Sequence, residues 1–393
     1  MKRIVSILLA MHLTASFAQV TLRIDPSSAE PPSFSDIFDE VKFIPLETRS
    51  SSLFGSIRQL FIVDSLFVFT ESHSNNIMLF HRNGKFKTKI IRDQYTTGRI
   101  YIDFVKKSIN FLKGRTIYRY DFEGKPLETL QENFVGEKYV LGDGQAIYYD
   151  KRVYSGLPDS TAYEVYVAKD NRIISKFFPY NMQTDSFLPE DSFQTLHTFF
   201  YSNGSGNAMF ARPFDYVIYQ ATSEKVDSLF KIMLPYNMSL DRKQLFDDAK
   251  YPIGSKSRYF ADNPNHVQLI NFPYLIGNNL FFKLQTSSDI SDSYLYRLDS
   301  ENLYRIDKLQ VDDKCYYLNV INVYAPSEFV NRNFLTADTE YIYTIVPAAD
   351  LIDQYKNNKA KGVNVEYPKE LLTLFGFKNN KANCVIVALK PKR

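Results

Sequence analysis

Apolar and polar positions alternate over short runs along most of this chain, and the runs come in pairs separated by turn residues. Alternation with period two puts successive side chains on opposite faces of an extended strand, and a tight Gly-, Asn- or Asp-containing turn folds one strand back on the next. Residues 76–85 (NIMLFHRNGK) align without gaps on residues 116–125 (TIYRYDFEGK). Looser copies follow at 163–178, 216–234 and 294–309, and a sixth hairpin is expected from strand 371–377, a turn at Asn379-Asn380 and a return strand over 382–389. A second pair of β-type runs precedes several of these hairpins: 57–63 with 66–70, 100–105 with 109–112, 267–275 with 279–284, and 332–337 with 341–346. Four strands per unit and six units predict an all-β fold, a six-bladed β-propeller of four-stranded antiparallel blades. A β-sandwich or a pair of smaller β domains is the rival arrangement.

Residues 41–46 alternate and stand ahead of the first complete unit. A circular array otherwise leaves two exposed sheet edges, so this strand is expected to pair with the last blade and close the ring. Residues 239–249 and 348–360 look helical, with Pro252 and Pro347 punctuating them. The beginning of the chain has the form of a secretory signal peptide: Lys2-Arg3, an apolar run over 4–13, and small residues Ser16 and Ala18 before Gln19. The apolar run is shorter than the roughly 20 residues that span a bilayer. The expected organisation is therefore a signal peptide over 1–18, an N-terminal arm over 19–40 and a propeller domain over 41–393. With no cysteine near the cleavage point, lipid attachment there is not expected.

These runs resemble a family of exported six-bladed, NHL-like β-propellers of Bacteroidetes. The resemblance is carried by residues 41–48 (VKFIPLET), 57–69, the hairpin 77–86, the stretch 212–219 (RPFDYVIY) and the closing strand 383–390. It implies the fold and an extracytoplasmic compartment, and no established reaction. Such proteins usually carry a Gly-Pro-Gly-Glu-Tyr-like loop after the first hairpin. Here residues 92–99 (RDQYTTGR) stand in its place.

Composition sharpens this picture. The chain has 28 Tyr, 32 Phe and no Trp, and bulky rings suit a pleated, half-buried surface. Its formal charge of +3 falls closer to neutrality once Lys2 and Arg3 are removed, and the basic residues are interspersed with acids. Nucleic-acid binding is not expected. Two cysteines, Cys315 and Cys384, could form one bridge or remain free thiols, but cannot be a disulfide framework.

No catalytic constellation stands out. Histidine is confined to His73, His81, His197 and His266 after the leader, without ligand spacing. Ser205 lacks the nucleophile-elbow context. The acidic pairs Glu190-Asp191, Asp247-Asp248, Asp289/Asp292 and Asp312-Asp313 lie in polar loops where solvation explains them. No metal or cofactor is expected. The ligand-binding candidates are loop arginines beside aromatic residues, together with one histidine: Arg92, Tyr95 and Arg99, Arg152 and Tyr154, His197, Arg212, and Arg258 with Tyr259. Propeller loops converge on a central funnel, where such side chains could grip an acidic or sugar-like ligand. The expected function is non-catalytic binding or scaffolding in the periplasm or at the cell surface, with a glycan, peptide or envelope protein as partner. The alternative is a glycan lyase or hydrolase built from loop residues, and a sensor component docking to a membrane partner is a third possibility.

Overall fold

The computed structural model describes residues 19–92, 100–134, 136–149, 163–170, 172–179, 206–252, 254–287, 292–321, 336–377 and 382–393. Two strands, β1 (Val20–Arg23) and β2 (Phe38–Pro45), precede the repeats. Blade I comprises β3 (Ile57–Val63), β4 (Leu66–Glu71), β5 (Ile77–His81) and β6 (Phe86–Ile90). Blade II follows as β7 (Ile100–Asp103), β8 (Ser108–Lys113), β9 (Thr116–Asp121) and the short β10 (Leu130–Gln131). Blade III is β11 (Glu137–Val140), β12 (Ala146–Tyr149), β13 (Tyr163–Lys169) and β14 (Arg172–Pro179). Blade IV has three strands of its own, β15 (Ala208–Ala211), β16 (Val217–Ala221) and β17 (Val226–Met233). Blade V is β18 (Leu269–Ile276), β19 (Asn279–Gln285), β20 (Ser293–Arg297) and β21 (Leu303–Arg305), and blade VI opens with β22 (Thr336–Ala337), β23 (Ile342–Val346) and β24 (Val385–Pro391).

Among the described residues these strands form six four-stranded sheets, the blades of a six-bladed β-propeller. Blades IV and VI reach four strands by borrowing from the N-terminal segment. β2 pairs antiparallel with β24, from Phe38 opposite Pro391 to Pro45 opposite Val385, and so closes the ring as expected for residues 41–46. β1 instead pairs in parallel with β17, Val20 opposite Phe230. The expected arm is thus partly strand: it supplies the outermost strand of blade IV in the one parallel pairing among the described strands.

The core is spread through the faces between blades. In β4 both faces are buried: Phe67 and Phe69 pack with Tyr341, Tyr343 and Ile386 of blade VI, while Leu66 and Val68 pack with Ile102 and Ile109 of blade II. Alternation along such a strand therefore separates two apolar faces rather than an apolar from a wet one.

Ring closure is fastened from two sides at the C-terminal end of β2. Asn383, just before β24, donates its amide to Glu47 O (2.8 Å) and Ser52 O (2.9 Å) in the loop after β2. On the blade I side, Gly84 in the β5–β6 turn has φ 84°, and a Cβ there would fall 2.1 Å from Pro45 O. Only glycine allows that backbone approach, and it lets Glu47 N–H donate to Gly84 O at 2.8 Å.

Two sequence expectations need correction. The segment 371–377 is no strand: Lys369–Phe375 is a helix that follows the helix Ala348–Ala360, and both lie between β23 and β24. Pro368 at its N-cap and Glu370 in its first turn favour that start, and Leu371 and Leu374 are buried on one helical face. The last blade's pairing is therefore β23 with β24 across a helical excursion. The helix expected over 239–249 contracts to Arg242–Leu245, preceded by a 3-10 turn at Tyr236–Met238. Both cysteines are free thiols, with Cys315 buried. No helix among the described residues is long and apolar enough to cross a membrane.

Candidate functional site

Tyr95, Arg99, Arg152, Tyr154 and His197 lie outside the described residues. The other candidates are distributed over two regions. Arg92 is 6% exposed. Its Nε donates to Asn75 O at 2.5 Å and its guanidinium lies 5.3 Å from the Phe111 ring, which ties blade I to blade II. Arg212 forks onto Glu164 of blade III, with Nε and Nη2 donating at 2.9 and 2.8 Å. It also meets Asp215 at 3.4 Å and lies 4.4 Å from the Phe178 ring.

The turn that follows Arg212 packs against the insertion bearing Arg258 and Tyr259, with Phe214 stacked on Phe260 at 5.3 Å. Arg258 is exposed, whereas Tyr259 is fully buried in a small core with Leu245 and Tyr251. The Tyr259 hydroxyl accepts from Asp241 N–H at 2.9 Å and lies 2.7 Å from His266 Nδ1. With His266 neutral and its proton on Nε2, Nδ1 can accept the Tyr259 hydroxyl proton.

Burial holds the His266 imidazole below the usual histidine range. The unfolded chain takes up that proton first as pH falls through about 6.5, so stability declines below that pH until the folded group also titrates. We expect the urea midpoint to drop between pH 7.5 and 5.5, and the drop to be smaller in His266→Gln. Equal drops in both proteins would exclude His266 as a source.

The arginine–aromatic pattern recurs as a brace. Tyr343 donates its hydroxyl to Asp338 at 2.6 Å, and Arg82 of blade I holds the same carboxylate at 3.1 Å. Tyr219 donates to Asp215 at 2.7 Å beside Arg212, and Tyr294 donates to Asp292 at 2.8 Å beside Arg305. Blades II and III meet along a more polar seam. Lys138 lies 5.0 and 5.1 Å from the rings of Tyr101 and Tyr148 and pairs with the buried Glu132 at 2.8 Å. Burial and then the Glu132 charge push the Tyr148 hydroxyl far above its usual range. These groups satisfy one another and hold blades together.

An open recess lies elsewhere, where the N-terminal segment crosses from blade IV to blade V. Ile24 N–H donates to Met233 O at 2.9 Å as the chain leaves β17. Asp25 caps the turn that follows, accepting from Ser27 N–H at 3.0 Å and Ser27 Oγ at 2.7 Å. The chain then joins blade V, with Glu30 N–H donating to Leu303 O at 3.2 Å and Arg305 N–H to Glu30 O at 2.8 Å. Under this strap, between the end of β17 and the β20–β21 turn, is a cleft of about 480 Å³. Arg23, Asp25, Glu30, Glu301, Asn302 and Tyr304 supply its polar walls, and Ile24, Leu234 and Leu303 are among its apolar lining. Sequence reasoning missed it because three segments far apart in the chain build it. The alternation of Leu22 and Ile24 around Arg23 was the signal that the arm could dock as a strand.

A family model described as Domain of unknown function (DUF4934) matches residues 20–390. None of the curated proteins matches the sequence. Among solved structures, a Bacteroides fragilis protein inferred to be exported is similar at 15% identity and a TM-score of 0.68, over 95% of this chain and 100% of that one. A member of the duf4221 family from Bacteroides vulgatus is similar at 8% identity and a TM-score of 0.46, over 91% of this chain and 98% of that one. The first likeness shows a shared fold. The family match begins on β1 and ends within β24, taking in the strap, the blades and the closing pair, and the chain belongs to the DUF4934 family.

Proposed function

We propose that this chain works outside the cytoplasm, in the periplasm or at the cell surface, as a non-catalytic binding propeller with a ligand site beneath the strap. The carrying observation is the cleft itself: an open recess lined by polar and apolar side chains, set between strands and bounded by a segment that ties two blades together. Its volume falls within the range of small-molecule sites. By contrast, the buried carboxylates Glu132 and Glu164 and the part-buried Arg212 are engaged in braces between strands and blades. The leader-like residues 1–18 and the likeness to a protein inferred to be exported support the compartment.

Two measurements test this reading. Fractionation of expressing cells should recover the protein from the envelope or medium, with Gln19 as its first residue; an uncleaved cytoplasmic product would overturn the compartment. Purified protein should bind a member of a soluble panel of oligosaccharides and peptides without consuming it. Turnover of any panel member would replace binding with enzymology.

A further inference from the structure

We infer that the mature chain carries a modified first residue: Gln19 closes on its own amino group to form pyroglutamate, and β1 is then preceded by an uncharged lactam. That amino group exists only when the leader is cut between Ala18 and Gln19, so the assignment rests on the export reading above. Gln19 is exposed, and the pairing of β1 with β17 begins one residue later, at Val20 opposite Phe230. Val20 itself is 49% exposed, and the first buried side chain of the segment is Leu22. The new terminus therefore stands outside the sheet, with its side chain and its amine open to solvent and to each other.

The reaction needs nothing from outside the residue. An α-amino group has an ordinary pKa of about 7.7–8.0, so part of it is unprotonated near neutral pH and can act as a nucleophile. Its nitrogen attacks the side-chain carbonyl carbon Cδ, and the new N–Cδ bond closes a five-membered ring. The Cδ–Nε2 bond breaks, and Nε2 leaves as ammonia with a proton from the amine. No electron changes hands. Amine and carbonyl belong to one residue, which makes the step unimolecular. The lactam removes the α-ammonium charge from the end of β1. It also denies an aminopeptidase the amine it must recognise, which shields the strand whose Leu22 and Ile24 are buried against blades IV and V.

The test uses the full chain, expressed with its leader and purified from the envelope or medium, beside Gln19→Ala prepared in the same way. Intact-protein mass is followed from purification through prolonged incubation at neutral pH. The native chain should converge on the mass of residues 19–393 less one ammonia and give no sequence by stepwise N-terminal degradation. Pyroglutamyl aminopeptidase, applied to the unfolded chain, should restore a sequence beginning Val20-Thr21-Leu22. Gln19→Ala should keep its full mass and be read from residue 19. If the native chain begins at residue 19 and keeps its full mass throughout, the lactam is excluded while the export reading stands. Loss of ammonia from Gln19→Ala would place the change at another residue and equally overturn the assignment. A chain cut at another bond overturns it too, and one that still begins at Met1 removes the export reading with it.

Discussion

Replacing Arg212 with Met is expected to destabilise the fold by about 3–5 kcal/mol, because it strands a buried carboxylate. Glu164 is 2% exposed and Arg212 holds both of its oxygens. Removing the guanidinium leaves that charge without its partner and frees Asp215 and Tyr219 from the same brace. The double variant Glu164→Leu/Arg212→Met should recover most of the loss, since neither charge then remains to be solvated. Arg258→Ala, at an exposed position, should fall within about 0.5 kcal/mol of the native chain. Urea unfolding followed by circular dichroism reads all three. A stable Arg212→Met would mean that the arginine is available for a ligand, as its place beside Phe214 first suggested.

The second large effect concerns the N-terminal strands. A chain beginning at Leu46 lacks β2, leaving the whole outer edge of β24 unpaired and removing Phe38 and Phe43 from the core between blades V and VI. We expect it to aggregate or to lose cooperative unfolding. A chain beginning at Pro31 keeps β2 but loses β1, with the buried side chains of Leu22 and Ile24. It should remain folded with stability lowered by about 2–4 kcal/mol, the burial of two aliphatic side chains offset in part by the entropy of the freed strand. It should also lose binding to the strap cleft. Light scattering and urea midpoints on the two truncations check the ranking. Equal behaviour would mean that β1 and β2 fasten the ring alike.

The local units were legible because their information is local. The hairpin over residues 76–85 carries alternation and an Asn-Gly turn within ten residues, and it folds as β5 and β6 around Gly84. Ring closure by residues 41–46 was legible from symmetry, since only a pairing with the last blade covers both edges. The helix Lys369–Phe375 was misread because a short apolar run suits strand or helix, and Pro368 was given too little weight. Arg92 and Arg212 lie against rings far off in sequence, Phe111 and Phe178, which the neighbouring aromatics Tyr95 and Phe214 gave no sign of. The purpose of Arg212 was illegible as well, because Glu164 is 48 residues from it in sequence and nothing local shows that they meet. The cleft was hidden for the same reason, on a larger scale.

The long span between the β2 and β24 partners sets the order in which this ring can be completed. Phe38 is made more than 300 residues before Pro391, yet the two are opposite each other in the finished blade. While the intervening residues are made β2 waits without its neighbour, so the closing step depends on β24 having emerged. The slowest folding step should be this most distant pairing.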